Sequence, residues 1–133
     1  MTTITEDYVS FETAKLLKEK GFNEPCIWLY NKKGEKQYAS DYHSPWSNSE
    51  LEADEWSCCT QAVAMKWLRE VHGLHISLEP CYDYDSMHVV FLAFVQNVAD
   101  VHEFMDGRKN VASHPNAEKS CELAIKYCLK NLV

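Results

Sequence analysis

The stretch TQAVAMKWLREVHGLHISLEP, residues 60–80, decides the fold class. Ala64, Trp67, Leu68 and Val71 recur at i, i+3, i+4 and i+7, the spacing of a single helical face. Gly73 follows them, and glycine most readily takes the left-handed conformation that ends a helix. Leu74 can then fold back onto Leu68. Beyond it, Ile76 and Leu78 alternate with His75, Ser77 and Glu79, as in a half-buried strand. A helix, a glycine stop and a strand in such close succession point to an α+β domain. They carry no signature of an activity.

Upstream, Ser10 is placed to cap a helix in FETAKLLKEK, with Ala14 and Leu17 inward. Gly21 ends it, and Phe22 packs back on Leu17. Residues 25–38 read as a β-hairpin. Ile27 and Leu29 alternate with Trp28 and Tyr30, and Asn31, Lys32, Lys33 and Gly34 form the turn. Residues 39–57 show the least regular pattern. They carry Pro45, the acids Asp41, Glu50, Glu52, Asp54 and Glu55, and the rings of Tyr42, Trp46 and Trp56. Such rings either pin a long loop to the body of the protein or offer a surface to a partner.

Downstream, PCYDYDS reads as a polar loop and MHVVFLAFVQNV as a strand. Val89, Phe91, Ala93 and Val95 share one face of that strand, and Val90, Leu92 and Phe94 the other. A strand apolar on both faces is central to its sheet, or pairs across an interface. Residues 99–113 contain the turn pair Asp106 and Gly107 but no readable period. Pro115 suits the first turn of a last helix. Its stripe is Ala117, Cys121, Ala124, Ile125, Cys128, Leu129 and Leu132. The order α-β-β-α-β-β-α predicts one α+β domain over residues 1–133. Its mainly antiparallel sheet has about four strands, with two or three helices on one face.

Thirteen basic against twenty acidic residues give a net charge of −7, which opposes a nucleic-acid partner. Lys15, Lys18 and Lys20, and Lys126 and Lys130, fall late in predicted helices, where cations complement the dipole. The N-terminus MTTITEDYVS lacks the basic start and apolar run of a secretory leader. The apolar run at residues 89–95 is too short to span a bilayer. A cytoplasmic protein with no membrane partner is therefore expected.

In that compartment the six cysteines are expected to be reduced thiols. Cys121 and Cys128, seven apart, read as small core residues. No CxxC pair exists, and adjacent Cys58 and Cys59 are poorly spaced for one metal. His72 and His75 lie across a helix end, without the shared face of a metalloprotease pair. Asp83 and Asp85 lack the glycine and closing glutamate of a calcium loop. No metal or cofactor is predicted.

Three function classes follow. The first is a non-enzymatic module that binds a protein or itself, with Tyr42, Trp46 and Trp56 as contact residues. The second is an enzyme using Cys58 or Cys59, whose place before a helix N-terminus favours a thiolate. Such a nucleophile needs a base, and no signature ties it to His72, His75 or His88. The third is an acidic inhibitor of a nucleic-acid enzyme, using the carboxylates at residues 50–55.

The segments SFETAKLLKEKGF, TQAVAMKWLREVHGLHI and CELAIKYCLKNLV together resemble a set of small uncharacterised proteins. These are common in gut Bacteroidales genomes and in phages and mobile elements. The run Lys66, Trp67, Leu68, Arg69, Glu70 carries most of the resemblance. Its members often read Ala-Pro-Thr where this chain has Cys58, Cys59 and Thr60. The resemblance implies a phage or mobile-element accessory protein, and no catalytic residue carries over from it.

Overall fold

Three α-helices and six strands form among residues 4–38, 45–100 and 107–133, the part of the chain that the computed structural model describes. The strands make two antiparallel three-stranded sheets rather than one platform of about four. Packing divides the chain into two compact units, residues 1–64 and 65–133.

In the first unit, α1 (Phe11–Glu19) starts as its sequence demands, with Ser10 Oγ accepting from the Thr13 amide at 3.2 Å. Gly21 takes φ +95°, and the Phe22 amide donates to the Leu17 carbonyl at 2.9 Å. Phe22 and Leu17 are both buried. The hairpin pairs β1 (Trp28–Tyr30) with β2 (Lys36–Tyr38). Its turn is held by Asn31 Oδ1, which accepts from the amides of Lys33 and Glu35. Gly34 stands at φ +78° so close to Phe11 that an added Cβ would meet the ring at 2.9 Å. Phe11 in turn packs on Tyr30 and Trp56, with ring centroids 5.5 and 5.3 Å away.

The third strand of this sheet, β3 (Trp56–Cys58), pairs with the other edge of β1. It emerges from a segment that reads as irregular, because three residues are too few to show a period. What orders the approach to it is a polar clamp. A 3-10 turn at Asn48–Glu50 carries a capping box between Ser47 and Glu50. The buried Asn48 donates to the Phe22 carbonyl at 2.7 Å and accepts from the Ser57 amide at 2.9 Å. One side chain thus joins the end of α1 to the middle of β3.

In α2 (Gln61–His72), Thr60 Oγ1 accepts from the Val63 amide at 3.2 Å. Ala64, Trp67 and Leu68 are buried as expected, but Val71 is exposed. The last turn instead sets His72 edge-on to the Trp67 ring at 4.7 Å. Gly73 ends the helix at φ +66°, and Leu74 is buried behind it.

The second unit holds the sheet β4 (Leu74–Asp83), β5 (His88–Asn97) and β6 (Lys109–His114), in that spatial order. β4 runs through Pro80 to Asp83, past the expected start of a polar loop. An edge strand tolerates that proline because the missing amide costs no ladder bond. β6 was unreadable in the sequence for a related reason: a register shift opposite Ala93 and Phe94 leaves Val111 without a partner and breaks the alternation.

Ile76, Ala93, Val95 and Ala112 are buried in this sheet, and α3 (Ala117–Asn131) packs across all three strands. Asn116 caps α3, its Oδ1 accepting from the Lys119 amide at 2.9 Å, so Pro115 lies just outside the helix rather than in its first turn. Cys121, Ala124, Ile125, Cys128 and Leu129 are buried, while Leu132, at the C-cap, is not. Ser120 Oγ donates to the Phe91 carbonyl at 2.8 Å, and the Cys121 thiol meets Met65 Sδ at 3.3 Å.

Replacing Asn48 by alanine strands a buried carbonyl and a buried amide at once. The Asn48→Ala variant is expected to lose about 2–4 kcal/mol in urea unfolding. A loss under about 0.5 kcal/mol would show that the clamp does not hold the loop.

Candidate functional site

Two features of the surface stand out. The first is the free end of the β4–β5 ribbon. β6 pairs with β5 only as far as Phe91, whereas β4 and β5 continue pairing to Asp83 and His88. The two-stranded end therefore extends beyond the third strand. Its turn is tied by Asp83, whose carboxylate accepts from the Asp85 amide at 3.1 Å and the Ser86 hydroxyl at 2.9 Å. These bonds lower the Asp83 pKa, the Ser86 bond most. Met87 closes the turn at φ +60°, an uncommon conformation for a side chain of its size.

This end is apolar as well as exposed. Tyr84 is 81% exposed, Met87 66%, Val89 50% and Tyr82 44%. Tyr82 stacks edge-on to Tyr84 at 4.8 Å, and its hydroxyl points to Met87 Sδ at 3.8 Å. A recess of about 410 Å³ beside them is lined by Cys81, Tyr84, Val90, Leu92 and Ser113, among others. Further along β5, Arg108 lies over the Phe94 ring at 3.8 Å while gripping Glu79. Sequence reading missed the ribbon end by taking PCYDYDS as a polar loop. The available signal was the alternation of Tyr82 and Tyr84 with Asp83 and Asp85, a period of two continuing the strand.

The second feature belongs to the first unit. A pocket of about 270 Å³ is lined by Tyr8, Cys26, Trp28, Cys58, Cys59 and Val63, among others. The three cysteines are free thiols and all buried. Burial pushes the Cys26 thiol up from an ordinary 9.0 to about 11, with the nearby Cys58 adding to the shift. In the second unit, burial alone does the same to Cys128, again to about 11. A helix start can favour a thiolate, but Cys58 and Cys59, the residues placed before α2, are only 1% and 3% exposed.

The residues singled out from the sequence fare differently. Trp46 is 36% exposed and exchanges two backbone hydrogen bonds with Cys26, at 2.9 and 3.0 Å. Trp56 is half-buried, with Phe11 against its ring and the Lys15 and Lys18 ammoniums 5.6 and 5.9 Å from its centroid. Its environment matches a ring that pins its segment. Tyr42 lies outside the described residues. Along the line of β1, Trp46 stands opposite Cys26 and Trp56 opposite Tyr30, so the two indoles occupy separate stations.

Two of the acids at residues 50–55 serve their own loop. Glu50 accepts from the Ser47 amide and hydroxyl, which lowers its pKa, the amide most. Glu55 accepts from the Glu52 amide at 3.1 Å. Among the described residues, no group of three His, Cys, Asp or Glu side chains could hold a metal ion, and no helix is long and apolar enough to cross a membrane. Compared with family models, with curated proteins and with solved structures, the chain matches none.

The thiols give a test of this picture. Cys81 alone is exposed among the six, so it should react first with iodoacetamide at pH 8. Cys26 and Cys128 should lag by at least about tenfold. Their raised pKa values mean that the folded state holds these protons more tightly than the unfolded chain does. The stability this contributes is complete below pH 9.0 and should be lost as pH rises towards about 11. Site-resolved mass spectrometry and thermal melts across pH 8–11 read both effects. Fast labelling of Cys26 would contradict the assignment.

Proposed function

We propose that this chain is a non-enzymatic module that binds a protein partner or a second copy of itself, through the projecting end of the β4–β5 ribbon. The observation that carries this reading is the exposure of Tyr82, Tyr84, Met87 and Val89 together at one ribbon end. Large apolar side chains gathered in water mark interaction surfaces more often than they serve the free molecule. Tyrosine and methionine are also enriched where proteins meet. Self-association fits the same surface, because β5 offers an unpaired edge from His88 to Val90. Trp46 is a second contact candidate, its backbone fixed by Cys26 while its ring reaches solvent. The resemblance to phage and mobile-element proteins supports an accessory role.

A thiol enzyme built on Cys58 or Cys59 has one favourable observation, the pocket that both residues line. Their burial argues against a ready nucleophile. The acidic-inhibitor reading is weakened by the use of Glu50 and Glu55 in local capping.

The test compares the wild type with a Tyr84→Ser, Met87→Ser double variant. Sedimentation velocity at high concentration reads self-association, and binding to captured partners is measured for both proteins. The double variant should lose self-association, or weaken each partner by about tenfold or more, with its melting temperature nearly unchanged. Unaltered sedimentation together with unaltered affinities would rule the ribbon out.

A further inference from the structure

The ammonium of Lys36 sits 3.7 Å from the centroid of the Tyr8 ring and 4.7 Å from that of Trp28. Both distances lie well inside the range in which the negative face of an aromatic ring attracts a cation. Two rings therefore converge on one positive charge. Among the described residues no carboxylate pairs with that ammonium. The Trp28 indole is itself stacked on Tyr38, at 4.2 Å between centroids and 19° between planes, which fixes its orientation. The Tyr8 hydroxyl donates to the Glu6 carboxylate at 3.4 Å, which sets a negative charge beside that ring.

We propose that Tyr8 and Trp28 form a binding site for an organic ammonium ion, and that the chain's own Lys36 occupies it in this structure. The adjoining pocket supplies the rest of such a site. It is lined by Tyr8, Trp28 and Glu6 together with Ile27, Val63 and Cys26, among others, and neither Lys36 nor any other lysine or arginine lines it, so Lys36 covers the rings and leaves the pocket open. A ligand with a positive head and a small apolar body fits this division, the head over the rings and the body among the aliphatic and thiol groups. Quaternary ammonium heads suit ring faces best, since they bind by charge without demanding hydrogen bonds. Lys36 is exposed and carried on a flexible four-carbon stem, so it can leave without breaking β2. The site involves only the first unit and does not depend on the ribbon's role.

The experiment follows the Trp28 indole N–H by NMR, assigned through Trp28→Phe, in the wild type and in Lys36→Gln. The probes are choline, a short peptide bearing trimethyllysine, and 3,3-dimethylbutanol, the uncharged carbon analogue of choline. Choline or the peptide should shift the signal saturably, and the alcohol should not. Lys36→Gln should bind the charged probes about threefold to tenfold more tightly, because the internal competitor is gone. Tyr8→Leu should abolish binding, and Trp28→Phe, which keeps a weaker ring face, should reduce it as read on the Tyr8 ring protons. Should one variant fail to fold, the other decides. Tighter binding of free choline would point to a small-molecule ligand, and tighter binding of the peptide to a lysine of a partner protein. Equal response to the alcohol, no saturable response in Lys36→Gln up to about 50 mM of either charged probe, or no gain from removing Lys36 would each overturn the proposal.

Discussion

The carboxamide of Asn48 satisfies the carbonyl of Phe22 on one side and the amide of Ser57 on the other, all away from water. Much of the first unit depends on that pair of bonds. The Phe22 amide closes α1 by bonding the Leu17 carbonyl, and Ser57 sits in the middle of β3. Joining them sets where β3 enters the sheet, and hence which residue of β1 faces Trp56. The aromatic contacts of Phe11 with Tyr30 and Trp56 then follow. A buried polar group is costly when unpaired and highly specifying when paired, so a single amide can fix a connection that hydrophobic patterning leaves undefined.

The helices and their stops were legible because each is a local device. Ser10, Gly21 and Gly73 act on residues within one turn of themselves, and the structure uses each one as read. The buried stripe of α3 was legible for the same reason. The sheets were not. β3 is too short to show alternation, β6 hides its period behind the extra Val111, and β4 continues through a proline. Those elements exist because neighbouring strands hold them, which is information that lies far along the chain. Asn48 illustrates the limit: nothing in residues 47–50 alone says that its partners are Phe22 and Ser57.

Of the candidate sites, Trp46 and Trp56 were visible as unusual residues in a polar stretch, but their surroundings were not. One ring reaches solvent and the other is enclosed by Phe11 and two lysine side chains. The cysteines tell a similar story. Their number invites chemistry, while Cys26 and Cys128 are held protonated by the apolar surroundings that make them good filler. The ring pair around Lys36 was hidden altogether, since Tyr8, Trp28 and Lys36 are brought together by long-range pairing: β1 with β2, β1 with β3, and the Tyr8 segment with Cys59 and Thr60.

The bonding of β5 changes along its length. From Phe91 to Val95 it is flanked on both sides, and from His88 to Val90 on one side only. Ser120 adds a tether at the boundary by bonding the Phe91 carbonyl. Amide exchange along this strand should therefore not be uniform. Protons near Ala93 should persist until the whole unit opens, whereas those near Val89 should escape through fraying that leaves the centre intact. The strand would then behave as an anchored inner half bearing a pliable outer tip, with His88 and Val89 free to adjust while the buried Val90 marks where the core begins.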